Sequence, residues 1–570
     1  MSSAVALDRP VSRGGPVPVR RMVGDHLRHA VVDLWRQKVV ALFIVVVPLV
    51  WLVVMGFLAG NAVLEGGGVR VMQFVTPSAA AMGVLYASFP TVAISVAEAR
   101  HTRVLHRWRS TPLPPAAYLA ARVGAAVVFA VVSVAVMLAV GVVLYDVQVV
   151  GSTIAATALT LVLGMACFAA VGMAVAAWAP TVATAQAASI GSAVALTFVS
   201  GLFTFGGSWP GWLETLGDLL PLKPFTAALQ DQMNPYHPEL GWDVAGVAVV
   251  VGWTALAVVA AVAGLRHEPG RRAGTRRSTN RGTADRRPRV PVPSAAATRR
   301  DPVARSPRST VVADVLTPGR PRRARLVLDQ AAAGARATWR DPGALFFAVV
   351  MPVGLYAFVV ALSGGQDGPG GLPTTVVMAA SMVAWGAAVA AFMNLPEAVA
   401  VARDAGVLAR LRAAPLEPWH HLAGRTVATL GVVLLVEALV LVLGAAAYDL
   451  RPSAGGLLIG TGVVLLGTLV LGACGFLLAA VVPGAKAVGA VALVVLLPLA
   501  FFSDVFIVGG PAWMGDVGAI FPLKHLQDAL ELAWAPQPAV GWGHLAVLLL
   551  WGVVAGVLAA RLFRWDLREC

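Results

Sequence analysis

Charge is scarce in this sequence: 13% of its 570 residues are Asp, Glu, Lys or Arg, where a soluble chain carries about 25%. Lysine is nearly missing, with four copies (Lys38, Lys223, Lys486, Lys524), none of which follows a glycine. A P-loop needs Gly-Lys-Ser/Thr to bring its lysine onto the phosphates, so the chain has no ATPase motif of that kind. Cysteine is limited to Cys167, Cys474 and Cys570, too few for a disulfide framework, and the first two lie in apolar runs as packing residues. The ten histidines include His420-His421, His101 and His106 but no H-E-x-x-H pair, so they read as interfacial polar contacts and no metal site is expected. A soluble hydrolase, a disulfide-stapled secreted domain and a fused P-loop ATPase are thereby excluded.

What is present is apolar surface. Hydrophobic residues make up 58% of the chain, and the mean hydropathy is +0.78. Net charge is +14, but residues 266–325 hold 17 arginines against four acids (Glu268, Asp285, Asp301, Asp314). That segment is rich in Pro, Ser, Thr and Gly and cannot bury enough apolar surface to order itself, so it reads as a disordered cytoplasmic linker. No aromatic interleaving or recognised module points to nucleic acid.

Runs of about 20 apolar residues can cross the hydrocarbon core. They fall near 39–60, 72–97, 118–144, 152–178, 182–205 and 243–265, then near 343–362, 373–400, 420–447, 455–482, 485–508 and 540–563. The expected fold is an all-α integral membrane protein with twelve transmembrane helices in two parallel six-helix repeats. Its parts are a cytoplasmic leader with an amphipathic interfacial helix (1–38), a first six-span unit (39–265), the linker (266–325), a second interfacial helix (326–342), a second six-span unit (343–563) and a cytoplasmic tail (564–570). Arginine-rich loops alternate with loops carrying Glu65, Asp146, Glu214, Asp218, Asp231 and Asp367, so both termini and the linker are expected in the cytoplasm. In the leader, Val23, Leu27, Ala30, Val31, Leu34 and Trp35 recur at helical spacing between charged residues, the pattern of a helix lying in the interface.

The two halves repeat one another. Val104-Leu105, Arg107, Arg109, Pro112-Leu113, Pro115 and Arg122 match Val407-Leu408, Arg410, Arg412, Pro415-Leu416, Pro418 and Arg425. Tyr145-Asp146 matches Tyr448-Asp449, and Pro210, Trp212 and Pro221-Leu222-Lys223 match Pro511, Trp513 and Pro522-Leu523-Lys524. Ordered blocks at a near-constant offset mean duplication. An even number of spans per copy makes the repeats parallel, with a pathway or cavity expected between them. The segments from Trp209-Pro210-Gly211-Trp212 to Pro221, and from Pro511 through Trp513 to Pro522, are too broken to span and read as short helices at the outer interface.

A charge inside the membrane is costly, so Glu437, near the middle of a span, stands out. It is either a residue of the translocation pathway or a protonated or hydrogen-bonded contact between helices. Its counterpart is Val134. An ion-coupled secondary transporter can also be built from two six-span repeats, and Glu437 is the candidate for its coupling site.

The stretch Glu98-Ala99-Arg100, Val104-Leu105, Trp108-Arg109-Ser110-Thr111-Pro112-Leu113, Tyr118-Leu119-Ala120-Ala121-Arg122 resembles the cytoplasmic signature of ABC-2 type transporter permeases. The Trp-Pro-x-Trp to Leu-Pro-Leu segment (209–222) is similar to that family's external region before its last span. The second copy departs from the pattern with Val401 in place of Glu98. The resemblance extends to antibiotic and multidrug exporters of the daunorubicin-resistance sort. It implies a transport subunit in a bacterial plasma membrane, with no cofactor of its own, served by a separate cytoplasmic ATPase that binds ATP, two copies per chain. Arg100, Arg107, Arg109 and Pro112, with Arg403, Arg410, Arg412 and Pro415, would form the loops that receive the ATPase motion.

Overall fold

The computed structural model describes residues 19–36, 38–59, 62–63, 70–102, 115–202, 211–236, 242–266, 323–363, 368, 371–408, 418–506 and 512–562. The first half begins with α1 (Val19–Arg36), followed by the apolar helices α2 (Lys38–Ala59), α3 (Val71–His101), α4 (Pro115–Tyr145), α5 (Ile154–Trp178) and α6 (Val182–Val199). Two short helices, α7 (Gly211–Leu219) and α8 (Leu222–Gln232), lead into the last one, α9 (Val244–Arg266). In the second half α10 (Arg323–Trp339) precedes α11 (Pro342–Leu345), which runs through a π-helical turn (Phe346–Val350) into α12 (Met351–Ser363). Next comes α13 (Thr374–Ala387), continued by a second π-helical turn (Ala388–Asn394) into α14 (Leu395–Asp404). The chain then forms α15 (Pro418–Ala447), α16 (Ala454–Val481), α17 (Ala485–Phe502), the short α18 (Ala512–Gly518) and α19 (Pro522–Trp534), and α20 (Trp542–Leu562).

The protein is an all-α, multi-pass membrane protein. Among the described residues, ten helices are long and apolar enough to cross a bilayer. The places of the remaining expected spans are taken by the apolar helices α2, of 22 residues, and α17, of 18 residues. The centre of each half is its second span: 89% of the apolar window is buried in both Val71–His101 and Thr374–Asp404. The last spans, with 17% buried, present most of their surface outward, where lipid tails are as good a solvent as protein.

The repeat is visible in packing details that its sequence blocks encode. Asp146 and Asp449 sit in the left-handed region (φ 56° and 55°), a conformation Asp tolerates better than most residues. Each ends its helix in the same way, with Val147 N–H donating to the Gly141 carbonyl (3.1 Å) and Leu450 N–H to the Gly444 carbonyl (3.0 Å). This bond across six residues satisfies a carbonyl that the helix end would otherwise leave orphaned. The preceding tyrosines tie the first span: Tyr145 Oη donates to the Val53 carbonyl at 3.4 Å and Tyr448 Oη to the Ala357 carbonyl at 2.9 Å. Gly172 and Gly475 allow the fourth span to lie against the second, since a Cβ there would meet the carbonyl oxygens of Phe89 (2.5 Å) and Ala391 (2.8 Å).

The amphipathic leader helix packs against protein. Ala30 and Leu34 are buried, Asp33 accepts from Arg122 Nη1 at 3.2 Å, and a Cβ at Gly124 would touch Leu27. Its equivalent α10 lies on α15 through Gly334 and Gly424.

Candidate functional site between the two halves

The halves meet through their first and fifth spans. Helix α2 packs on α17, and α6 packs on α11 and the π-helical turn beyond it. Each half thus offers its first span to the other's fifth, the exchange expected of two copies around an axis along the membrane normal. Bulky side chains hold this seam: Phe57 meets Trp513 edge-on at 5.4 Å, Phe198 meets Phe358 at 5.8 Å, and the Phe346 ring lies against Gly191. Val54, Phe501 and Met514 form a small buried cluster across it.

Between these contacts lies a cavity of 1020 Å³. Its walls are mostly apolar and aromatic: Trp51, Met55, Met82, Tyr86 and Phe198 from the first half, and Phe347, Met351, Phe358, Met382, Trp385 and Phe501 from the second. Methionine-lined walls are deformable, so they accommodate varied apolar shapes. The buried Trp385 Nε1 has no hydrogen-bond acceptor among the described residues, leaving a donor on this wall. Polar groups gather toward one end. Asp341, Asn394, Glu397 and Arg425 line the cavity where α11, α14 and α15 are beginning.

The two π-helical turns shape that wall. Each widens its helix by one residue and leaves the backbone ladder out of step, a feature that recurs at functional sites. Asn394 Nδ2, at the end of one turn, donates to the Ala344 carbonyl just before the other at 3.4 Å. The equivalent stretches of α2 and α3 are regular α-helix. Glu397 follows the second turn, and its carboxylate rests on Gly489, where a Cβ would meet Oε2 at 2.7 Å. Asp341 caps α11, accepting from Gly343 N–H (3.0 Å) and Ala344 N–H (3.1 Å).

The structure distributes the residues singled out by sequence. Arg100 Nη1 donates to the carbonyls of Ala176 and Ala177 (the latter at 2.9 Å), and Arg403 Nη1 donates to the Ala479 carbonyl at 3.0 Å. Both arginines therefore close the C-terminal end of the fourth span, where a cation offsets the exposed carbonyl dipoles. Beside Arg403, Asp404 Oδ2 accepts from Ala485 N–H at 2.8 Å and so ties the end of α14 to the start of α17. Arg107, Arg109, Pro112, Arg410, Arg412, Pro415 and Trp209 lie outside the described residues. Glu437 is 3% exposed in the seam between α15 and α16, where Thr461 Oγ1 donates to its Oε1 at 2.9 Å; it is not among the residues lining the cavity. Trp212 (64% exposed) and Trp513 (42%) stand at the surface of the short helices, while Pro221 and Pro522 are buried at the turns into α8 and α19. Glu397, Asp341 and Trp385 were not candidates from sequence; the π-helical turns near the first two have no signature in residue spacing.

A two-part fold with its cavity on the internal axis is the architecture of a transporter's membrane domain. The family comparison agrees: the model for the ABC-2 type transporter matches twice, over residues 27–233 and 331–533. The chain belongs to that family and carries its domain twice, as a fused two-unit permease of an ABC exporter. Such permeases work with an ABC ATPase subunit, and this one is a transport subunit that lacks the ATPase motif. No curated protein matches the chain.

Proposed function

We propose that the chain forms the export pathway for a hydrophobic or amphipathic, drug- or antibiotic-like compound across a bacterial plasma membrane. The cavity between the halves carries this reading. Its volume suits a drug-sized ligand, and its walls combine aromatic and methionine surface with a few polar groups at one end. With both termini and the linker in the cytoplasm, the polar end containing Asp341, Glu397 and Arg425 is the cytoplasmic one. Substrate enters there or from the inner leaflet. ATP is bound and hydrolysed by a separate ATPase, two copies of which sit beneath the two halves and push on loops 98–117 and 401–419.

The reading is tested by filling the cavity. Val194→Trp and Ala428→Trp each place an indole on the cavity wall, one from each half. Overpacking of about 1–3 kcal/mol in the loaded state lowers transport by about tenfold or more. The measurement is ATP-driven uptake of lipophilic dyes into inverted vesicles containing the chain and its ATPase. Uptake unaffected by both substitutions, or driven by a proton gradient without ATPase, defeats the proposal. The partner surface has its own test. Arg107→Glu with Arg410→Glu weakens ATPase co-purification by about tenfold while membrane yield is kept, because opposed charge penalises the docked state. Removing 270–289 leaves association unchanged, since a flexible linker loses little by moderate shortening.

A further inference from the structure

The second half carries a cluster of ionisable groups outside the cavity, where α17, α19 and α20 meet. Lys524 Nζ lies 2.9 Å from Asp504 Oδ2 and 2.6 Å from Asp528 Oδ1. Burial alone pushes the Lys524 ammonium down, but the two carboxylates more than offset it, so its pKa rises and it stays charged. Glu531 joins through the buried Gln527, whose Nε2 donates to the Glu531 carboxylate at 3.0 Å and to the Asp504 carbonyl at 3.2 Å. Burial holds the Glu531 carboxyl above the usual range. Three carboxyl groups thus surround a single lysine.

Against this cluster stand two histidines from different helices. His525 Nδ1 and His544 Nδ1 are 2.9 Å apart, and His544 Nδ1 is 3.7 Å from Asp528 Oδ2. The ligand atoms of His525, Asp528 and His544 all lie within 4.8 Å of one another. His525 Nε2 is 2.8 Å from the Ala519 carbonyl, which can only accept, so Nε2 holds the proton and Nδ1 presents a lone pair. A metal-ligating imidazole is normally oriented in this way, with its far N–H on a carbonyl or carboxylate. Lys524 similarly occupies Asp528 Oδ1 and leaves Oδ2 toward His544.

We propose that His525, Asp528 and His544 bind a divalent transition-metal ion of the zinc type, clipping the last span α20 to the short helix α19. Bonds of about 2.0–2.2 Å from zinc to nitrogen or oxygen place tetrahedral ligands a little over 3 Å apart, close to the separations already present. Imidazole nitrogens favour zinc over magnesium or calcium. His544 needs only to carry its proton on Nε2, so a neutral imidazole binds with no net proton release. Asp528 and His544 are 21% and 30% exposed, which gives the ion a route in. The first half has no equivalent set: Pro224 and Ala227 stand where the second has His525 and Asp528, and Gly241-Trp242 aligned on Gly541-Trp542 puts Val244 at His544.

The test uses the full chain without an affinity tag, in lipid nanodiscs, titrated with Zn2+ against a chromophoric chelator. One Zn2+ per chain binds at micromolar concentration or tighter, excess Mg2+ does not compete, and the melting temperature rises as Zn2+ saturates. His525→Ala and His544→Ala each weaken binding by about 100-fold or more, while His420→Ala with His421→Ala leaves it unchanged. Co2+ bound to the unaltered chain shows the visible absorption of a four- or five-coordinate nitrogen and oxygen site, a readout that depends on no variant folding. No saturable Zn2+ site, or binding and melting shift retained in both histidine variants, overturns the proposal.

Discussion

The two halves of this permease share a scaffold and differ in chemistry. Helix ends, close approaches and inter-span ties recur at matched positions: Asp146 and Asp449, Tyr145 and Tyr448, Gly172 and Gly475, Arg100 and Arg403. The buried acids do not recur. Glu437 with Thr461 faces Val134 with Ala158, Glu397 faces Ile94, and the Asp504–Lys524–Asp528 group faces Phe203, Lys223 and Ala227. Both π-helical turns also belong to the second half. Backbone satisfaction and close packing are demands that every copy must meet in lipid, where an unpaired amide costs several kcal/mol. Buried ionisable groups are demanded by no such rule, so one copy can carry them alone. The cavity is accordingly asymmetric, with Asp341, Glu397 and Arg425 all from the second half.

The sharpest way to break the comparison is at its matched lysines. Lys524 is 16% exposed between two carboxylates, whereas Lys223 is 28% exposed and pairs at 2.7 Å with an Asp218 that is 63% exposed. Lys524→Met leaves two partly buried carboxylates uncompensated and costs about 3 kcal/mol; Lys223→Met costs less than about 1 kcal/mol. Thermal melts of the purified variants should separate clearly, and equal losses would mean that the second-half cluster adds nothing.

The matched glycines should behave alike. Gly172→Leu and Gly475→Leu each force the fourth span off the second and cost about 2 kcal/mol by overpacking, read as matched drops in melting temperature. A large difference between them would show that the two scaffolds are not equivalent.

The smallest effect is expected where the second half is made to copy the first. Glu437→Val with Thr461→Ala installs the pair Val134 and Ala158, and removing both partners of a buried hydrogen bond is close to neutral, within about 1 kcal/mol. Transport by this double variant should match the unaltered chain. Its loss, with a retained melting temperature, would assign Glu437 to the pathway.

Much of the fold was legible because lipid imposes long, uninterrupted signals. Apolar runs of about 20 residues announce the spanning helices, and proline with tryptophan marks the short helices from Gly211 and Ala512. The repeat was readable because Tyr-Asp, Pro-Leu-Lys and the arginines of two loops kept their spacing. The cavity residues were less so. Glu397 lies three residues beyond the second π-helical turn, and its approach to Gly489 joins parts of the chain that no local pattern relates.

Sequence by itself determined the class, the duplication and the absence of a P-loop, because hydropathy, spacing and missing motifs are properties of the chain alone. Tertiary structure decided which spans meet across the halves and that Arg100 and Arg403 close helix ends. It also placed Glu437 in a seam beside Thr461 rather than on the cavity, and set His525 against His544. The physical reason is common to all four. Each depends on how one helix is rotated and seated against another, and in an apolar medium that choice is made by packing between distant segments, not by the hydropathy that puts the helix in the membrane.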